Sequence, residues 1–159
     1  MVEIRQITGL DSEPIWEIWQ TIIVEGDAFY SDESIPKANI ISMWCNADAY
    51  VAVHNECIIG TYCVFPIRHG RGSHIADGCY MVAPQFRRQG VGTLLARHSL
   101  QRAKESGYEA MQFDCVVSSN KAAVNLWRKL GFTIVGTVPK GFQHPKLGLV
   151  DIFIMHSFL

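Results

Sequence analysis

A chain of 159 residues, 48% hydrophobic and 18% charged, is long enough for one domain with a sizeable core and shows no bias toward disorder. Its formal net charge of −1 excludes the broad basic surface of a general nucleic-acid binder. Cys45, Cys57, Cys63, Cys79 and Cys115 form no Cys-x-x-Cys pair, so no metal site is expected; most lie in apolar runs and read as buried free thiols of a reducing compartment. No signal peptide is read and no apolar run is long enough to span a bilayer, so cytoplasm and no membrane partner are the expectation.

Residues 2–7 alternate apolar and polar, as a half-buried strand does. Asp11, Ser12 and Pro14 are helix-start residues, and Ile15, Ile18, Trp19, Ile22 and Ile23 then recur at three and four. Trp16 and Trp19 read as core packing. Residues 25–33 break that pattern with four carboxylates and two aromatics, among them Glu25, Asp27, Phe29 and Tyr30. Two readings stand: a solvated acidic loop, or a wall that holds a cationic amine by charge and ring face. A short helix over 36–45 follows. Residues 49–53 and 57–65 are strand-like around a hairpin turn at His54-Asn55-Glu56. Residues 66–73 form a loop with Arg68, His69 and Arg71, and 74–83 a further strand.

That strand runs into Pro84-Gln85-Phe86-Arg87-Arg88-Gln89-Gly90-Val91-Gly92-Thr93, which opens a helical pattern. Gly90 and Gly92 remove side chains where the chain must turn or let a ligand approach its backbone. The free N–H groups of a first helical turn, with the positive end of the helix dipole behind them, make a phosphate cradle. Leu95 stands where a dinucleotide fingerprint needs a third glycine, and the Gly-Lys-Ser/Thr ending of a P-loop is absent. The helix carries Val91, Leu95, Ser99 and Ala103 on one face and ends at Gly107. A strand at 110–117 and a helix at 120–130 follow. Residues 132–138 and 149–155 read as a final strand pair, with 141–145 in the loop between them.

Arg87-Arg88-Gln89-Gly90-Val91-Gly92 resembles the acyl-CoA loop of the GCN5-related N-acetyltransferases, Gln/Arg-x-x-Gly-x-Gly/Ala. Asn120-Lys121-Ala122-Ala123-Val124-Asn125-Leu126-Trp127, with Gly131-Phe132 after it, resembles that family's downstream segment in order and separation. The resemblance implies one N-acetyltransferase domain over 1–159. It implies an α+β fold layered α/β/α: a mixed, mostly antiparallel sheet of about seven strands with a splayed central parallel pair, and about four helices. It also implies acetyl-CoA as cosubstrate and an amine acceptor. The acceptor stays open between a small amine or amino acid and a protein N-terminus or lysine. A non-catalytic acyl-CoA sensor and a nucleotide-binding enzyme are the rivals. Exposed apolar strand edges would support a homodimer.

The resemblance places the diphosphate on the N–H groups of Arg88, Gln89, Gly90, Val91, Gly92 and Thr93, with Arg87 beside them, and the pantetheine arm along Met81 and Val82. The Val82 N–H then steadies the oxyanion. Asn120 would bind cofactor amides or cap its helix, with Ala123 and Trp127 alongside. Many relatives carry a tyrosine, thought to protonate the leaving thiolate, where this chain has Trp127, whose indole delivers no proton at neutral pH. An amine of pKa about 10.4 must lose a proton before attack, and Asp77 and His74 are the candidate bases. Their odd separation puts them on opposite faces of a regular strand.

Overall fold

The computed structural model describes residues 1–159. In chain order the elements are β1 (Glu3–Gln6), α1 (Ser12–Glu25), α2 (Lys37–Cys45), β2 (Asp48–His54), β3 (Cys57–Pro66), β4 (Ile75–Val82), α3 (Val91–Glu105), β5 (Ala110–Val117), α4 (Lys121–Lys129), β6 (Thr133–His144) and β7 (Gly148–Phe158). They form one seven-stranded sheet of order β1-β2-β3-β4-β5-β7-β6. Every neighbouring pair is antiparallel except β4 and β5, so the mixed sheet with a central parallel pair stands as expected.

The helix ends follow from local chemistry. Asp11, 4% exposed, accepts the Thr8 N–H at 2.6 Å and two Arg5 N–H groups at 2.8 Å, which ties the start of α1 to β1. The Arg5 hydrogen bonds outweigh burial and hold its carboxyl at about 2. Gly26, at φ 69°, ends α1 by returning its N–H to Ile22 O. Asn120 caps α4, its side chain accepting the Ala123 N–H at 3.1 Å.

Strand alternation sends the sheet's side chains to two cores. On one face α1 and α2 bury Ile15, Trp19, Ile22, Ile40 and Trp44 against Val51, Cys63 and Met81. On the other, α3 and α4 bury Val91, Leu95, Val124 and Trp127 against Tyr62, Ala76, Met111 and Phe113. No helix is long and apolar enough to cross a membrane.

Three expectations need correction. Residues 141–144 belong to β6 rather than to a loop. The register slips between Val138 and Phe142, and Gly141 gives the room that Ile152 needs there, since a Cβ would lie 2.9 Å from Ile152 Cγ1. Of the five thiols, Cys63 is buried, Cys79 and Cys115 are half-buried, and Cys45 and Cys57 are exposed at the end of α2 and the start of β3. Trp19 is core, but Trp16 is only partly covered.

Candidate active site

The site begins where the sheet comes apart. β4 and β5 pair only at Ile75–Ala110 and Ala76–Met111, and beyond these the strands diverge. On the other side, β4 stays in register with β3 up to Gly60–Val82, and Ala83 N–H bonds Ile59 O at 2.9 Å. In an antiparallel ladder alternate residues bond their partner. Ala83, Met81 and Cys79 therefore turn their main-chain polar groups toward β3, while Val82, Tyr80 and Gly78 turn theirs into the gap. Gly78 N–H is taken by the Asp77 carboxylate at 2.7 Å. The ladder leaves the amides of Tyr80 and Val82 facing open space.

The chain leaves β4 through a 3-10 turn at Pro84–Phe86 and reaches α3 with Arg88 at φ 59° and Gly90 at φ 84°. A left-handed conformation at a non-glycine residue such as Arg88 is strained, and such strain is characteristic of ligand clamps. The first helical bond of α3 runs from Leu94 N to Gly90 O, so the amides of Val91, Gly92 and Thr93 have no partner within the helix. A Cβ at Gly92 would lie 3.8 Å from Val82 and Leu126, at the edge of the gap. These bare donors at the head of a 15-residue helix fit a diphosphate.

A cleft of about 670 Å³ runs from this loop through the gap. Its walls include Val82, Arg87, Arg88, Gly92, Asn120, Ala123 and Trp127 of the expected cofactor set, and Glu25, Asp27, Phe29 and Tyr30 of the expected acceptor set. Val91 is buried in the α3–α4 core, so it reaches a ligand through its backbone alone, whereas Met81 is buried on the α1 side and its main-chain polar groups pair with β3, so it offers the gap neither. Gln89 folds back, donating to Gln85 O at 2.9 Å, and Thr93 does not line the cleft. Trp127 lies in an aromatic cluster, its ring centroid 4.8 Å from Tyr80, 4.3 Å from Phe113 and 5.2 Å from Phe132. The Tyr80 hydroxyl points away into the α3 core, where it meets Ser99 Oγ at 2.8 Å.

The two candidate bases part company. Asp77 lines the cleft, on the face of β4 that also meets α1 and the loop after it. Burial pushes its carboxyl up to about 7, against the pull of the Gly78 N–H, with Asp114 raising it further and Arg68 lowering it. His74 sits outside the cleft in the exposed turn before β4, where its carbonyl accepts Glu109 N–H at 2.9 Å.

Side chains not singled out from the sequence complete the end of the cleft beside the 26–30 loop. β5 takes an extra residue against β7 between Phe113 and Val116, and this bulge sets both Asp114 and Cys115 along the cleft. Regular alternation would have hidden one of them, so periodicity carries no sign of it. The β6–β7 hairpin reaches across to the 26–30 loop. A Cβ on Gly26 would lie 2.7 Å from Pro145 Cγ, and the Tyr30 and Phe142 rings are 6.1 Å apart.

Residues 15–132 match the acetyltransferase (GNAT) family. A GCN5-related N-acetyltransferase from Kribbella flavida is 32% identical, superposes with a TM-score of 0.96, and is covered over 98% of its chain by 99% of this one. yncA of Salmonella typhimurium, solved with its cofactor acetyl-CoA, shares the fold at 22% identity and a TM-score of 0.88, with all of this chain covering 94% of that one. N-acetyltransferase aca1 of Schizosaccharomyces pombe is 33% identical over 98 residues, 61% of this chain; the match spans 47% of that protein's length.

Proposed function

Because the chain belongs to the acetyltransferase (GNAT) family, we propose that it transfers an acetyl group from acetyl-CoA to a primary amine of a small molecule, by direct attack in a ternary complex. The observation that carries this reading is the parted β4–β5 pair, with an unpaired Val82 amide in the gap and the Asp77 carboxyl on the same strand. Acetyl-CoA, when bound, supplies the thioester.

The amides of Val91 to Thr93 hold the diphosphate, with Arg88 beside them. The amides and carbonyls of Tyr80 and Val82 pair with the pantetheine arm as an added strand would, and the Val82 N–H faces the oxygen that becomes negative during attack. Asp77 accepts the amine's proton. A carboxyl held at about 7 is half ionised at neutral pH and close to the optimum for a general base. No phenol stands at position 127, and a thiol near pKa 8.5 leaves well enough without one. Trp127 therefore packs beside the arm rather than delivering a proton.

A small acceptor is favoured because the 26–30 loop, backed by Phe142 and Pro145 of the hairpin, walls that end of the cleft. The same hairpin exposes Val135, Val138, Leu147 and Leu149, which supports a homodimer along that edge; sedimentation velocity tests it. For the activity, the test is thiol release from acetyl-CoA over a panel of amines, amino acids and peptides, with the acetylated product identified by mass. Release with a small amine is the expected result. A raised thermal midpoint with acetyl-CoA but no release with any acceptor would make the chain a sensor. No shift with acetyl-CoA and a shift with ATP would end the reading.

A further inference from the structure

At the mouth of the cleft, Glu25 and Arg87 hold each other. Arg87 Nη1 and Nη2 donate to Glu25 Oε1 and Oε2 at 3.0 and 2.8 Å, and Arg87 Nε donates to Val82 O at 3.3 Å. The guanidinium fork is engaged on all three nitrogens. Glu25 is the last residue of α1, a helix with no basic residue in its final turn. A carboxylate there faces the negative end of the helix dipole, so Arg87 is its compensation.

The location gives the pair its meaning. Val82 O belongs to the polar groups turned into the gap. Just beyond Glu25, Gly26 starts the loop that carries Asp27, Phe29 and Tyr30. That loop is moored on the far bank as well, where Asn120 Nδ2 donates to Asp27 O at 3.4 Å. It thus spans the gap, anchored to the β4 side by Arg87 and to the α4 side by Asn120.

We propose that Glu25 and Arg87 are positioning residues for the acceptor: their ion pair sets the 26–30 loop, and an acyl-CoA arm bound along β4 takes the Val82 carbonyl from Arg87 while the pair to Glu25 persists. The inference rests on the acyl-CoA reading above. Because the pair is neutral as a unit, Arg87 lends the diphosphate no net charge, and Arg88 is the remaining cation in the cleft wall. Both partners are well exposed, at 40% and 36%, so the pair adds little to global stability and its loss shows in acceptor kinetics instead.

The test compares Glu25→Gln, Arg87→Gln, Arg87→Lys and the double Glu25→Gln/Arg87→Gln variant by calorimetric acetyl-CoA affinity and by steady-state kinetics with the best amine. In Glu25→Gln the acceptor KM is expected to rise about tenfold with kcat within about threefold. Its acetyl-CoA Kd should fall about threefold at low salt, because the released guanidinium can reach the diphosphate. The double variant should keep the raised KM and return Kd to the wild-type value. Arg87→Lys should fail to restore the acceptor KM, because an ammonium has no fork. An acceptor KM within about twofold of wild type in both Glu25→Gln and the double variant overturns the inference. So does a loss of about tenfold or more in acetyl-CoA affinity in the double variant, which would make Arg87 a cofactor ligand. Failure of wild-type protein to bind acetyl-CoA is a different result and falls on the activity itself.

Discussion

The two ends of the cleft are built from different materials. At the α3 end, where we propose that the diphosphate binds, the free donors are main-chain amides, shaped by Gly90 at φ 84° and by the start of α3. At the other end, proposed for the acceptor, the walls are side chains: Asp27, Phe29 and Tyr30 from one loop, Asp77 from β4, and Asp114 and Cys115 from β5. Backbone donors depend on φ and ψ and tolerate almost any neighbouring residue. Side-chain walls depend on identity and on contacts far away in sequence. Substitutions should therefore act through conformation and space at one end and through chemistry at the other.

The largest effect tests the chemical end. Asp77→Asn should lower kcat/KM by about 10²- to 10⁴-fold, the range of a lost general base, with acetyl-CoA affinity within about twofold of wild type. Wild-type kcat/KM should rise through an acidic limb centred at about 7, where the Asp77 carboxyl ionises, and the variant should lack that limb. A variant within about tenfold of wild type would remove Asp77 from the chemistry.

Next comes the loop that joins the two ends. Gly26→Ala places a side chain at φ 69° and 2.7 Å from Pro145 Cγ, which should cost roughly 2 kcal/mol in urea unfolding and raise the acceptor KM as well. An unchanged urea midpoint would show that the hairpin does not bear on the loop.

Asp77 also predicts a pH dependence of stability whose sign is opposite to that of an ordinary paired carboxylate. Its folded-state value, about 7, lies above the unfolded one, so the neutral form is the favoured one in the fold. The favourable contribution is complete below about pH 4 and disappears as pH rises through about 7. The stability of Asp77→Asn relative to wild type should accordingly increase from pH 4 to pH 8, by up to roughly 4 kcal/mol. Asp11 behaves in the usual way. Its carboxyl is held at about 2, so its contribution is present above the ordinary carboxylate range and is lost as pH falls toward that value.

The smallest expected effect probes the backbone end. A methyl at Gly92 has ordinary contact distances, so Gly92→Ala should bind acetyl-CoA normally, while the branches of Gly92→Val enter the mouth of the gap and should weaken binding about tenfold. Equal binding by both variants would move the diphosphate off this loop.

Legibility in the sequence followed the same division. The turn at Gly90 that opens α3, and the α3 face of Val91, Leu95, Ser99 and Ala103, all buried, could be read directly because glycine spacing and helical period are local properties. The parity of positions 74 and 77 says only that a regular strand would turn at most one of them to the cleft; His74 drops out for a different reason, since β4 starts at Ile75 and leaves it in an exposed turn. The residues of the acceptor loop were visible as a composition, but their partners were not. Glu25 and Arg87 lie 62 positions apart and meet only because α1 and β4 pack side by side. Residues 141–144, which open on Gly141 and run into Pro145, are strand because β7 supplies a ladder for them, a tertiary condition that propensity does not carry.

The irregularity in β5 leaves the architecture open to change. Phe113 and Val116, on either side of it, both anchor the α3–α4 core, while the intervening Asp114 and Cys115 are absent from the β5–β7 register. These two positions therefore stand outside the regular pairing of the two strands, and the Asp114 carboxylate is held by side chains alone, accepting from Gln112 at 2.8 Å and from Arg68 at 3.3 Å. Changes there alter the cleft wall while leaving Phe113 and Val116, and with them the packing of the sheet on its helices, in place.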